Sequence, residues 1–287
     1  PFIKNAFPID TQHGRQSQYG YYSAYLSLIA SQLGFAHWIA DDAIAEYPAP
    51  YDVGGYVLRL QGPFHKVFAT CQGAHLEIDT NADFAYDATG LGRVHFRGAP
   101  TELALSTPIV KNPNFITVSD PSPKNVAIGP GWTTQDGNTR FLADRALDDD
   151  TAEVTIFEEN RSKTIFSVTY HNLDEITSIV ERYEISQNHI LIDSEIQGPS
   201  SLNIYQFPAL RQNGQDMAVI DVQDQTCVVD FAGHKLSITF LTPGSLRLEN
   251  LTAPNRNGVY DVLRFETHNS KISLEITTSP SSNTPQI

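Results

Sequence analysis

Cysteine is scarce: Cys71 and Cys227 are the two in a chain of 287 residues. That excludes a disulfide framework and a four-cysteine zinc site, while a single bridge is allowed and two buried thiols are the plainer expectation. Positive charge is also sparse, with 19 Lys and Arg against 33 Asp and Glu and a net charge of −14. A nucleic-acid partner or an anionic membrane surface is therefore not expected. No stretch approaches the roughly 18 unbroken apolar residues of a membrane span. The opening residues, PFIKNAF, carry no Met, basic n-region or apolar h-region, so any targeting peptide lies outside this sequence. At this length one large domain or two modest ones can bury a substantial core.

What is present divides into two parts. In YGYYSAYLSLIASQLGFAHWIADDAIAE, the residues Tyr22, Tyr25, Leu26, Ile29, Leu33, Ala36 and Ile39 follow helical three-and-four spacing. Ser17 or Gly20 would begin this helix, and Trp38 implies a large packing partner. After Pro48 and Pro50 the period becomes two: Leu236, Ile238 and Phe240 alternate with Ser237 and Thr239, and Ile272, Leu274 and Ile276 with Ser273 and Glu275. Strands are expected at 54–60, 65–71, 74–80, 153–159, 164–170, 176–186, 189–197, 226–231 and 258–268. Turn residues at Asn160-Arg161, Gln187-Asn188, Gly198-Pro199, Gly233 and Asn269-Ser270 separate them. Such short connections cannot make parallel crossovers. The expectation is a mainly β fold, a large antiparallel two-sheet sandwich over residues 49–287, preceded by a helical segment over residues 1–48.

Residues 73–98, GAHLEIDTNADFAYDATGLGRVHFRG, interrupt the alternation with His75, Glu77, Asp79, Asp83, Tyr86, Asp87, Arg93, His95 and Arg97. Gly90 and Gly92 permit close backbone approach there. A plain acidic loop closed by an Asp79–Arg93 ion pair explains any one of these residues; the cluster as a whole suggests a site. His75, Asp79 and His95 are zinc-type ligands, and Asp79, Asp83 and Asp87 calcium-type ones, but neither spacing matches a metal motif. A divalent metal is the secondary expectation and no cofactor the primary one. No Gly-x-Ser-x-Gly elbow occurs, both cysteines lie in strand-like apolar runs, and no glycine loop cradles phosphate ahead of a helix.

These side chains suit sugar chemistry better. For β-elimination at a uronate, a base removes the C5 proton while donors or cations neutralise the carboxylate on which charge develops. Tyr and His supply base and acid, Arg pairs with a carboxylate, and Asn and Trp bind hydroxyls and pyranose faces. Outside the cluster, Arg15 (with His13) stands ahead of the helix, where capping is an equal role. His171 and Asn172 end a strand, and Trp132 sits in a Gly-Pro turn where packing is the commoner use. His65, His189, His234 and His268 read as strand or turn surface, and the carboxylates of 146–153 as a solvated turn.

The SxYLxL helix, the GGYVLRL strand, the stretch HLEIDTNADFAYDATGLGRVHFRG and the antiparallel run after it together resemble the C-terminal half of heparinase II/III-like polysaccharide lyases. The resemblance covers nearly the whole chain in architecture and texture. It implies the end of an α/α toroid joined to an antiparallel sandwich, an acidic polysaccharide substrate, an extracellular or periplasmic location, and a missing helical domain as partner. It also implies His75 as the sandwich's catalytic histidine, with His95 second, Tyr86 as proton donor and Arg93 toward a carboxylate; Arg97, with Arg15 and Arg59, would make the cleft locally basic for a polyanionic substrate. The family's catalytic Tyr and neutralising residue usually come from the toroid, and the His-x-His zinc pair of some members is lacking. The rivals are a glycan-binding or structural sandwich without catalysis, and a glycoside hydrolase accessory domain in which Glu77 and Asp79 would matter.

Overall fold

The computed structural model describes residues 23–41, 43–45, 47–105, 109–114, 120–147, 151–173, 176–255 and 257–281. In chain order these form α1 (Ser23–Ile39), α2 (Pro50–Val53), β1 (Gly54–Leu60), β2 (Lys66–Cys71), β3 (Ala74–Asp79) and β4 (Gly90–Phe96). There follow β5 (Gly129–Thr133), β6 (Thr139–Phe141), β7 (Ala152–Glu159), β8 (Thr164–Leu173), β9 (Ile176–Ser186) and β10 (His189–Gln197). The last are β11 (Leu202–Gln212), β12 (Val219–Gln223), β13 (Thr226–Phe231), β14 (His234–Phe240), β15 (Ser245–Pro254), β16 (Val259–Thr267) and β17 (Lys271–Pro280).

The strands make three sheets: a four-stranded meander β1-β2-β3-β4, an eight-stranded sheet β12-β13-β14-β17-β10-β9-β8-β7, and a five-stranded sheet β15-β16-β11-β5-β6. Every pairing is antiparallel, and the fold is a mainly β sandwich. The eight-stranded sheet is one layer. Against it pack the meander, through β1 and β2 on β8 and β9, and the five-stranded sheet, through β5 on β10 and β11 on β12. An isolated bridge between Leu91 and Ile128 ties the two smaller sheets together. One continuous apolar core runs between the layers, with Phe240 of β14 stacked on Phe265 of β16 at 4.2 Å between centroids.

Two expected hairpin turns do a different job. Gly198-Pro199 leads from β10 in the large sheet to β11 in the five-stranded one, and Asn269-Ser270 leads from β16 back to β17. A short link between layers is possible because sheets sit only about 10 Å apart. The helix also departs from expectation. Its apolar residues spread around the whole circumference, and every one of its described side chains is exposed, Phe35 at 63% and Trp38 at 78%. The expected starts at Ser17 or Gly20 lie outside the described residues. Both cysteines are free and buried, and burial pushes the Cys227 thiol up to about 12, which leaves it inert.

The meander is anchored to the large sheet at its first strand. Gly54 and Gly55 have φ of 61° and 80°, and a Cβ on Gly55 would lie 2.5 Å from the Asn160 carbonyl oxygen in the β7–β8 turn. Beside it the Val57 amide donates to Glu159 Oε1 at 2.6 Å. Gly55→Ala therefore combines a strained φ with a backbone clash, and is expected to destabilise by about 2 kcal/mol. Gly129→Ala, where nothing lies within 4 Å of the added methyl, should stay within about 0.5 kcal/mol in the same urea titration; equal effects would remove the clash as the cause.

Candidate functional site

One turn decides which side chains share the meander's outer face. Gln72 and Gly73, with φ of 48° and 85°, form a two-residue connection of the kind that fixes hairpin register. That register sets Thr70 opposite His75, and the next pairing sets His75 opposite His95. Alternation then puts Phe68, His75, Glu77, Arg93 and His95 on one face, while Val67, Leu76, Ile78, Val94 and Phe96 enter the core.

Tyr51 completes the group. Pro50 opens the single turn of α2 and Gly54 closes it, which lays the Tyr51 ring over the end of the β2–β3 hairpin. Its ring centroid is 5.7 Å from those of both His75 and His95, and Phe68 is stacked with His75 at 6.2 Å. The Tyr51 hydroxyl donates to the Gly73 carbonyl at 2.6 Å and lies 3.1 Å from His95 Nδ1. Burial raises its pKa to about 12, with Asp52 assisting and Arg97 opposing. Burial also lowers both histidines: His95 against a hydrogen bond to the Ala99 backbone, and His75 against the Glu77 carboxylate but with help from His95 and Arg93. His75 Nδ1 is buried with no hydrogen-bond partner.

Along the same face runs an ion network. Glu77 pairs with Arg93 and lies 3.5 Å from Lys66, whose Nζ also contacts Asp79 at 2.5 Å and Asp87 at 2.8 Å. Arg93 thus pairs with Glu77, its cross-strand neighbour, and Asp79 with Lys66. Asp79 is 2% exposed, and burial plus a hydrogen bond shared with Asp87 raise its carboxyl to about 7 despite Lys66. Asp87 moves down, hydrogen bonds with Asp79 and Lys66 outweighing burial, so the two carboxyls titrate as a pair. Lys66 moves up, because the two aspartates outweigh its burial.

The remaining sequence candidates scatter. Tyr86 stands exposed on the loop between β3 and β4, where its hydroxyl accepts from Asn114 Nδ2 at 2.7 Å. Arg97 is paired with Asp52 at 2.7 Å. His171 and Asn172 end β8 in the large sheet, His171 on the face opposite the inward Tyr170. Trp132 belongs to β5 and is 0% exposed, which leaves no ring face for a sugar. Arg15 and His13 lie outside the described residues. Among the described residues no group of three or more His, Cys, Asp or Glu is placed to hold a metal ion, and no helix is long and apolar enough to cross a membrane. Tyr51 escaped the sequence argument because Pro48 and Pro50 marked only a boundary there. The usable signal was proline at the first position of a helical turn closed by Gly-Gly.

No protein-family model matches the chain, and no curated protein does. Among solved structures, a heparinase III is similar over 90% of this chain and 40% of its own, at 9% identity and a TM-score of 0.51. The chain therefore spans well under half of that protein's length, and the likeness is one of fold. An α-N-acetylgalactosaminidase from Bifidobacterium bifidum aligns over 74% of this chain and 36% of its own, at 10% identity and a TM-score of 0.47. A 4-α-glucanotransferase from Thermococcus litoralis aligns over 81% and 40%, at 7% identity and a TM-score of 0.42.

Proposed function

We propose that the outer face of the meander is one wall of a glycan-binding cleft, and that the protein acts on a uronate-containing polysaccharide by β-elimination. The observation that carries this reading is His75: a half-buried imidazole, flanked by the rings of Tyr51 and Phe68, with no hydrogen bond to any described residue. Arg93, a third exposed beside Glu77, adds positive charge close to it, which a carboxylate needs in a protein of net charge −14. The fold shared with a heparinase III is consistent with this class. The exposed apolar α1 suits a helical body as the opposing wall, and that body would bring a proton donor in place of Tyr51, whose proton goes to the Gly73 carbonyl.

Glycan binding without chemistry is the second reading, favoured by one feature: the Tyr51 proton is committed to the Gly73 carbonyl. The test is incubation of the protein with hyaluronan, heparan sulfate and alginate. Elimination produces an unsaturated uronate that absorbs in the near ultraviolet, and that product is the expected result. New reducing ends without the chromophore would replace lyase by hydrolase. Retention on an immobilised glycan with neither product would leave the binding reading.

A further inference from the structure

We infer that His75 meets its ligand as the neutral Nε2–H tautomer, a hydrogen-bond donor to a glycan oxygen and not a base. The inference rests on the cleft proposed above and assigns this side chain's role within it. A neutral imidazole carries one proton on one of two nitrogens. On Nδ1 it would be an N–H buried from water with no hydrogen-bond partner, in a ring packed near Tyr51 and Phe68. Buried donors without acceptors are rarer than buried acceptors without donors, so the proton belongs on Nε2. A base acting at Nε2 would require the opposite arrangement, with the proton on the sealed nitrogen.

The surroundings disfavour the doubly protonated ring as well. It would bury a charge with an unpaired Nδ1–H on a face that holds Arg93 and His95, and Glu77, the carboxylate next on the strand, is already paired with Arg93. His95, directly opposite, is held differently. Its Nδ1 lies 3.1 Å from the Tyr51 hydroxyl, and the ring also hydrogen-bonds to the Ala99 backbone. Of two histidines facing each other across one strand pair, His95 thus has a partner at Nδ1 and His75 has none.

Nitrogen-15 and carbon-13 spectra of histidine-labelled protein test this directly, with the His75 signals identified by their loss in His75→Gln. The expected result is an Nε2–H tautomer for the neutral His75 ring at pH 8, with its protonation shifted to lower pH than an ordinary histidine's by burial. An Nδ1–H tautomer, or an imidazolium at pH 7, overturns the inference. A second arm uses binding of a hyaluronan or heparan sulfate oligosaccharide. The Gln amide places its N–H₂ near the Nε2 position and Asn near Nδ1, so Gln should bind within about threefold of the natural protein and Asn at least about tenfold more weakly. Asn binding as well as Gln also overturns it. If neither oligosaccharide binds the natural protein, the glycan reading falls while the spectra still decide the tautomer.

Discussion

His75→Ala is expected to lower turnover on a uronate substrate by about 10²- to 10³-fold, the usual cost of removing one preorganised donor from developing negative charge. The melting temperature should fall by no more than about 2 °C. Stability is spared because His75 makes no hydrogen bond that the fold would lose, and its half-buried ring touches Phe68 and Tyr51 without filling the core behind the sheet. Michaelis–Menten kinetics beside thermal unfolding separate the two effects. Unchanged turnover would remove His75 from the chemistry, and a large drop in melting temperature with activity falling in proportion would make it scaffold.

The second large effect lies in the core. Glu181 of β9 is 0% exposed between the layers, where Tyr183 donates to its Oε2 at 2.9 Å and Tyr205 of β11 to its Oε1 at 3.2 Å. Burial raises its carboxyl to about 7 against these two hydrogen bonds. Tyr170 of β8, its hydroxyl buried without a partner, feels both Glu181 and Asp79 and is itself pushed well up by burial. A carboxyl whose folded pKa exceeds its unfolded one gives stability that is full below the unfolded pKa, near 4.5, and lost as pH rises through 7. Glu181 should therefore contribute a loss of about 3 kcal/mol between pH 4.5 and pH 8. Urea unfolding of Glu181→Gln and the natural protein across that range measures it: the gap between the two should shift by about this amount, with the variant gaining at high pH. Parallel profiles would show that Glu181 does not titrate in the folded state.

The strands legible from sequence share one property: alternation bounded by turn residues. Runs 54–60, 176–186, 189–197 and 226–231 coincide with β1, β9, β10 and β13 residue for residue. The strands passed over lack that contrast. β11, LNIYQFPALRQ, is buried on both faces from Asn203 to Leu210, so no polar residue marks a solvent side. Its Pro208 is tolerated because the pairing with β5 stops at Gln206. β5, GPGWT, has a turn's composition, and Gly131 is required because a Cβ would meet the Phe141 ring at 2.5 Å. β4 was hidden inside the ionisable segment, where Arg93 and His95 face outward.

For the site, sequence proximity identified His75, His95 and Arg93 correctly as neighbours, since a hairpin keeps close residues close. It could not find Tyr51, which is 24 residues before His75 and arrives through the seat of α2 on the hairpin. It also could not separate Tyr86, which is nearer in sequence but is held on the loop by Asn114. Pairing of charges followed cross-strand register instead of sequence distance, and so Glu77 rather than Asp79 took Arg93.

The position of β17 has a consequence for biosynthesis. It is the last of the described strands, yet it lies between β10 and β14 in the middle of the eight-stranded sheet, pairing His189 with Thr277 and Phe240 with Leu274. A nascent polypeptide that has not yet emerged through residue 280 holds two halves of that layer with nothing between them, each exposing an unpaired strand edge. Completion of the sandwich must wait for translation to pass this point, and the interval before it is when chaperones have most to shield.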